Sequence, residues 1–150
     1  MNLIFPKTID NKYNGYKISL YCFYLITAVT LVRSLIHILA SDGGAQSIAT
    51  IPLSQYPQDA ASTVILIFSL WGSSQLILGL IYVVVVIKYR SLIPLMYLLL
   101  FAEYAMRLGL GHLKPITTLG TAPGAVANYI MIPLSIILFF LSIKGKDKEN

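Results

Sequence analysis

The chain has 150 residues, of which 57% are hydrophobic and only 11% charged, and its mean hydropathy is +0.76. Such values exclude an ordinary soluble domain and define an integral membrane protein. The net charge of +5 does not point to nucleic acid as a partner, because the basic residues flank apolar spans and form no stripe interleaved with aromatics.

A crossing needs roughly 20 apolar residues, so the length accommodates four spans. The expected fold is an all-α bundle of four transmembrane helices, forming one membrane domain over residues 1–150. The first span is placed at 18–39, "ISLYCFYLITAVTLVRSLIHIL", which is too long for the core of a signal peptide. It holds Cys22, the only cysteine, so an intrachain disulfide and CxxC chemistry are excluded and the thiol reads as an inert packing group. Toward its far end Arg33 and His37 form an (i, i+4) pair.

Residues 40–62, "ASDGGAQSIATIPLSQYPQDAAS", open on Asp-Gly-Gly and contain Pro52 and Pro57. This predicts a turn followed by irregular chain. The stretch Ile48 to Leu53 is apolar enough to lie on the membrane surface or to cap the bundle.

The second span is placed at 63–87. Gly72, Gln75 and Gly79, joined by Ser69, share one helical face. Small residues there admit a neighbouring helix, and Gln75 is left to bond across the interface. The same stripe makes homo-oligomerisation a plausible use. Trp71 reads as a packing or lipid-facing residue. Four consecutive valines, Val83 to Val86, favour strands in water, but inside a bilayer only a helix satisfies their backbone groups locally.

The third span is placed at 92–111, with Pro94 tolerated in its first turn. Glu103 and Arg107 stand one turn apart near its middle. The connector "KPITTLGTAPGA" is a constrained reversal, and the fourth span, 125–143, contains Asn128 and also Pro133, which predicts a kink. The tail "KGKDKEN" reads as disordered.

Lys7, Lys12, Lys17, Lys88, Arg90, Lys144, Lys146 and Lys148 fall on one side of the spans, and Lys114 alone on the other. By the positive-inside rule both termini are cytoplasmic and residues 40–62 face outward. Tyr13, Tyr16, Tyr21, Tyr24 and Tyr89 fit an aromatic belt at the inner boundary. The expected location is the cell membrane, in particular a bacterial inner membrane.

With about 1.5 Å of rise per residue, Glu103 lies roughly 2 Å outward of mid-bilayer, Arg33 roughly 7 Å, Arg107 roughly 8 Å and Asn128 roughly 9 Å. Gln75 falls near the centre. Each ionisable group at such depth costs about 2.5–3.5 kcal/mol, so these side chains are expected to converge inside the bundle. Glu103 and Arg107 neutralise one another. Arg33 is then an unmatched cation, to be met by Asp42 if the chain turns back at Gly43 and Gly44, or otherwise by an anionic or strongly hydrogen-bonding ligand. A guanidinium fork suits carboxylate or phosphate.

Arg33, His37, Gln75, Glu103, Arg107 and Asn128 are therefore the candidate ligand-binding set. The competing reading is a closed network that fastens the helices. His37, Asp42, Glu103 and His112 lack the HxxxH or ExxH spacing that puts two metal ligands on one helical face, so no metal is expected. No catalytic residue stands out, and there is no haem, flavin or iron–sulfur motif.

The motifs "SLWGSSQLILG", "KYRS" and "RLGLGHLKP" give the layout from Ser69 to Pro115 a form that resembles the DoxX-like group of small four-helix membrane proteins. That resemblance implies a four-helix fold and, through some members, a membrane subunit of a quinone-linked sulfur oxidoreductase. No catalytic residue of the group matches a position here.

Three functions compete. The first is a protein that binds an amphiphile, such as a membrane lipid or a quinone, by its headgroup, alone or within a membrane complex. The second is a quinone-linked oxidoreductase subunit with Glu103 or His37 handling protons. The third, a small transporter, is disfavoured because the inner half of the spans offers no polar path.

Overall fold

The computed structural model describes residues 4–144. Apart from Lys144, the tail expected to be disordered, with Lys146 and Lys148, lies outside the described residues. Four helices follow in chain order: α1 (Lys17–Leu39), α2 (Gln58–Lys88), α3 (Ile93–Leu113) and α4 (Pro123–Ile143). All four are long and apolar enough to cross a membrane, and no strand occurs among the described residues.

The expected boundaries differ most at α2, which begins at Gln58 rather than residue 63. Residues 58–62 are polar and give no hydropathy signal. Helix formation there is favoured by Pro57 at the N-cap position and by Asp59 in the first turn, where a carboxylate meets the positive end of the helix dipole. The 31 residues of α2 extend about 46 Å, against a hydrocarbon core of about 30 Å, so α2 tilts or projects beyond it. Helix α4 runs as one element through Pro133.

Burial is inverted relative to a soluble bundle. On α1 the buried positions are Ser19, Phe23, Thr27, Thr30, Ser34 and His37, recurring at spacings of three and four residues as in a helix-packing seam. Leu25, Val29, Val32, Leu35 and Ile36 point outward, as lipid solvation allows. Thr27 and Ser34 donate their hydroxyls to the carbonyls of Phe23 and Thr30, so the small polar groups are satisfied within their own helix.

The small seam of α1 lies on the small stripe of α2. A Cβ placed on Gly72 would come within 2.7 Å of His37 Cβ, and one on Gly79 within 2.8 Å of Leu31 Cδ2. The stripe thus admits a neighbouring helix, as its small residues suggested, and that helix is α1 of the same chain. Helix α1 pairs with α2 and α3 with α4, the two hairpins meeting through α1 and α4 and more lightly through α2 and α3.

Where the two hairpins join, Ser19 Oγ donates to Leu138 O at 3.0 Å and Tyr97 Oη to Ser19 O at 2.6 Å. Phe23, Tyr82, Ile93, Tyr97 and Leu138 form the core there. The segment before α1 is clasped to the turn between α2 and α3. Asp10 N–H donates to Ser91 Oγ at 3.0 Å, and Ser91 donates its hydroxyl to Asp10 O at 2.9 Å. Lys7, Lys12, Lys17, Lys88, Arg90 and Lys144 therefore gather at this end of the bundle.

At the opposite end, the α1–α2 connection turns sharply at Gly43 (φ 59°) and Gly44 (φ 72°), a conformation that glycine adopts without steric cost. Asp42 holds the turn by accepting N–H bonds from Gly44 (2.8 Å), Gln46 (3.1 Å) and Ser47 (2.6 Å). The turn back expected at these glycines does form. Asp42 nevertheless spends its carboxylate on the backbone and forms no ion pair with Arg33. Beyond it, Ala45, Ile51 and Leu53 are buried against Val64, Ile65 and Phe68, so the apolar stretch Ile48 to Leu53 caps the bundle.

Candidate functional site

The polar side chains of α1, α2 and α3 do converge, whereas Asn128 on α4 joins none of the hydrogen bonds that link them. Arg33 on α1 donates from Nη2 to Gln75 Oε1 at 3.0 Å, and the Gln75 amide on α2 donates to Glu103 Oε1 on α3 at 2.9 Å. The same carboxylate oxygen accepts a hydrogen bond from Arg107, in an ion pair within α3. Gln75 is the joint. Its buried position beside Gly72 and Gly79 follows from the close approach of α1, and its two-ended amide suits a link between a donor and an acceptor on different helices.

Two cations and one carboxylate make up this chain of bonds, which leaves one positive charge over. Trp71, the only tryptophan, compensates in part. The guanidinium carbon of Arg107 lies 4.8 Å from its ring centroid and that of Arg33 5.4 Å, within range of cation–π attraction. Arg107 also lies over Tyr104, at 5.1 Å.

A cavity of about 940 Å³ opens beside the two arginines, bounded by α1, α2, α3 and α4 and by both connections at this end. Arg33, His37, Arg107 and Asn128 line it, whereas Gln75 and Glu103 do not. Three buried side-chain polar atoms lack a hydrogen-bond partner among the described residues: Arg33 Nε, Asn128 Oδ1 and Tyr82 Oη. The first two belong to residues that line the cavity. Such atoms are costly to bury unbonded.

His37 does not pair with Arg33. Its Nδ1 lies 2.7 Å from Gly43 O, and because a carbonyl only accepts, that nitrogen carries the proton. The ring rests against Trp71 at 4.7 Å and Phe68 at 5.9 Å. His37 therefore anchors the turn at Gly43 while lining the cavity.

The end of the cavity away from the basic cluster is roofed. Thr50 Oγ1 donates to Gly120 O at 2.8 Å, and Leu119 N–H donates to Thr50 O at 2.8 Å. These bonds tie the α1–α2 connection to the α3–α4 connection. Thr50 adopts φ 58° to do so, a strained left-handed conformation for a β-branched residue.

Two features of the site were not read from the sequence. Trp71 joins the cluster because it stands four residues before Gln75, about 40° away around α2, and that spacing was the available signal. The roof residues Thr50, Leu119 and Gly120 gave none, since their meeting depends on how two separate connections fold. Among the described residues no three of His, Cys, Asp and Glu gather in a way that could hold a metal ion.

No family model, curated protein or solved structure matches this chain.

Proposed function

We propose that this protein binds an amphiphile from the bilayer, holding its headgroup at Arg33, Arg107 and Asn128 with the tail lying between the hairpins or in the surrounding lipid. The observation that carries this reading is Arg33: its charge meets an amide rather than a carboxylate, and its Nε is buried and unbonded in the wall of a large cavity. A cation in low dielectric needs a counter-charge or strong acceptors. A lipid headgroup or a quinone carbonyl supplies them.

The distribution of lysine and arginine favours an orientation with both termini in the cytoplasm, which puts the cavity in the outer leaflet of a cell membrane. The set is better suited to binding than to turnover, since Glu103 is held in an ion pair and does not line the cavity.

The test is the lipid and quinone content of the purified protein. Arg107→Ala is expected to reduce a copurifying lipid or quinone, measured by mass spectrometry, while far-ultraviolet circular dichroism stays unchanged. Equal content in wild type and variant would count decisively against binding.

A further inference from the structure

We infer that the ligand of this cavity carries one net negative charge, as an acidic phospholipid does, and that the site selects it over zwitterionic lipids and neutral quinones; the inference rests on the amphiphile reading and narrows it.

The charged groups around the cavity are few. Arg33 and Arg107 line it, and among the described residues no Asp or Glu does. Glu103 offsets one of the two cations through its ion pair with Arg107, while Arg33 is bonded to the neutral amide of Gln75. One positive charge is left over. At the same end of the bundle Asp42 is committed to backbone N–H groups, and Asp59 is exposed, where solvent and salt screen it. His37 and His112 also line the cavity, and ionisation of either adds to the positive side of the balance.

The rest of the wall gives that charge its weight. Ile48, Ile67, Phe68, Leu108, Ile116 and Met131 bound the same space. The Trp71 ring, 4.8 Å from the Arg107 guanidinium carbon and 5.4 Å from that of Arg33, supplies only a partial counter-charge. Two unit charges about 12 Å apart at an effective dielectric of about 20 shift an equilibrium about ten-fold. Selection therefore follows from net charge and needs no particular donor to touch the ligand. A monoanion brings the site to neutrality, whereas a zwitterion adds as much positive charge as negative and a quinone adds none. A cavity of about 940 Å³ with this apolar lining also exceeds what a small inorganic anion fills, which favours an anion that brings an apolar body with it.

The experiment titrates the full-length, delipidated protein in detergent with two dioleoyl lipids that share one phosphodiester, reading occupancy by native mass spectrometry. Phosphatidylmethanol keeps the negative charge, and phosphatidylcholine cancels it with a trimethylammonium group. Decylubiquinone serves as the neutral amphiphile and dimethyl phosphate as the same anion without a tail. Phosphatidylmethanol is expected to bind about ten-fold or more tightly than phosphatidylcholine or decylubiquinone, and dimethyl phosphate at equal concentration to leave it in place. Arg33→Gln removes the excess charge and is expected to bring the two lipids to within about two-fold of one another. Glu103→Gln adds to the excess and is expected to widen the preference, although Glu103 does not line the cavity. Lys88→Gln removes the same charge at the basic end of the bundle and is expected to leave the preference unchanged.

Equal binding of phosphatidylmethanol and phosphatidylcholine overturns the charge selection and leaves the amphiphile reading standing. A preference that survives Arg33→Gln and is lost in Lys88→Gln also overturns it, since the charge being read would then lie at the other end. Displacement by dimethyl phosphate, or absence of any bound lipid and of bound decylubiquinone, brings down the amphiphile reading itself. Should Arg33→Gln fail to fold, Arg107→Gln removes the same charge, and the comparison of ligands on wild-type protein decides the remaining outcomes.

Discussion

Arg33 of α1 is held by Gln75 of α2, at 3.0 Å, and not by a carboxylate. One neutral amide thus joins the two halves of the buried polar chain, because Gln75 passes its other end to Glu103. Replacing it with leucine, which keeps the volume, removes both bonds at once. Gln75→Leu is expected to lower stability by about 3–6 kcal/mol, two hydrogen bonds to charged partners being lost, and to broaden the thermal transition in detergent followed by Trp71 fluorescence. An unchanged midpoint would mean that the polar chain contributes nothing to holding the hairpins together.

Glu103 is the sole carboxylate facing two guanidinium groups, so Glu103→Gln leaves both without a counter-charge. Breaking a buried pair from one side is costlier than removing it whole. The single variant is expected to lose about 2 kcal/mol or more, and the double variant Glu103→Gln with Arg107→Gln to be less destabilised than the sum of the two singles by about 1 kcal/mol. Chemical or thermal unfolding of the four proteins completes this cycle, and additivity would show that the pair is not coupled.

Three of the glycines in the spans separate by what surrounds them. At Gly72 an added Cβ meets His37 Cβ at 2.7 Å and the Ser34 carbonyl at 3.2 Å, whereas at Gly79 it meets the end of the Leu31 side chain at 2.8 Å; at Gly109 nothing lies within 4 Å. Gly72→Ala is expected to cost about 1–3 kcal/mol through forced separation of α1 and α2. Gly79→Ala is expected to cost less, since Leu31 can turn aside, and Gly109→Ala to be neutral or slightly stabilising by about 0.5–1 kcal/mol in helix propensity. Thermal midpoints in one detergent rank them, and any other order would contradict the packing described.

Asp42 titrates below the ordinary carboxylate range. Burial pushes its carboxyl upward, but hydrogen bonds from Ser47, Gly44 and Gln46 outweigh it and hold the charged form. A depressed native value means that its contribution is fully present above the unfolded value, about 3.9, and is lost as pH falls through the lower native one. Wild-type protein is therefore expected to exceed Asp42→Ala in thermal midpoint by most near pH 6, with the gap narrowing below pH 4. A gap independent of pH would assign the effect to something other than the ionised carboxylate.

The fold was legible because a bilayer imposes one rule on every span: length and hydropathy alone located four helices, missing chiefly the polar first turn of α2 at Gln58. The convergence of Arg33, Gln75, Glu103 and Arg107 was legible for the same reason, since charge at that depth has nowhere else to go. Partner choice was not. Asp42 looked like a counter-ion for Arg33 by charge balance, but three backbone N–H groups lie closer along the chain and claim it first. Trp71 reads in sequence as a packing or lipid-facing residue, and the choice between the two depends on the rotation of α2 against α1, which sets it against His37, Phe68 and the two arginines. The cavity itself is set by the angle between two hairpins, which no local pattern records.

The clasp between Asp10 and Ser91 joins positions 81 residues apart. During synthesis the leading segment emerges long before its catch exists, and it has nothing to grip until the second hairpin begins to insert. Its closure is accordingly a late event, and resistance of that segment to added protease distinguishes a fully assembled molecule from one whose first hairpin alone has reached the membrane.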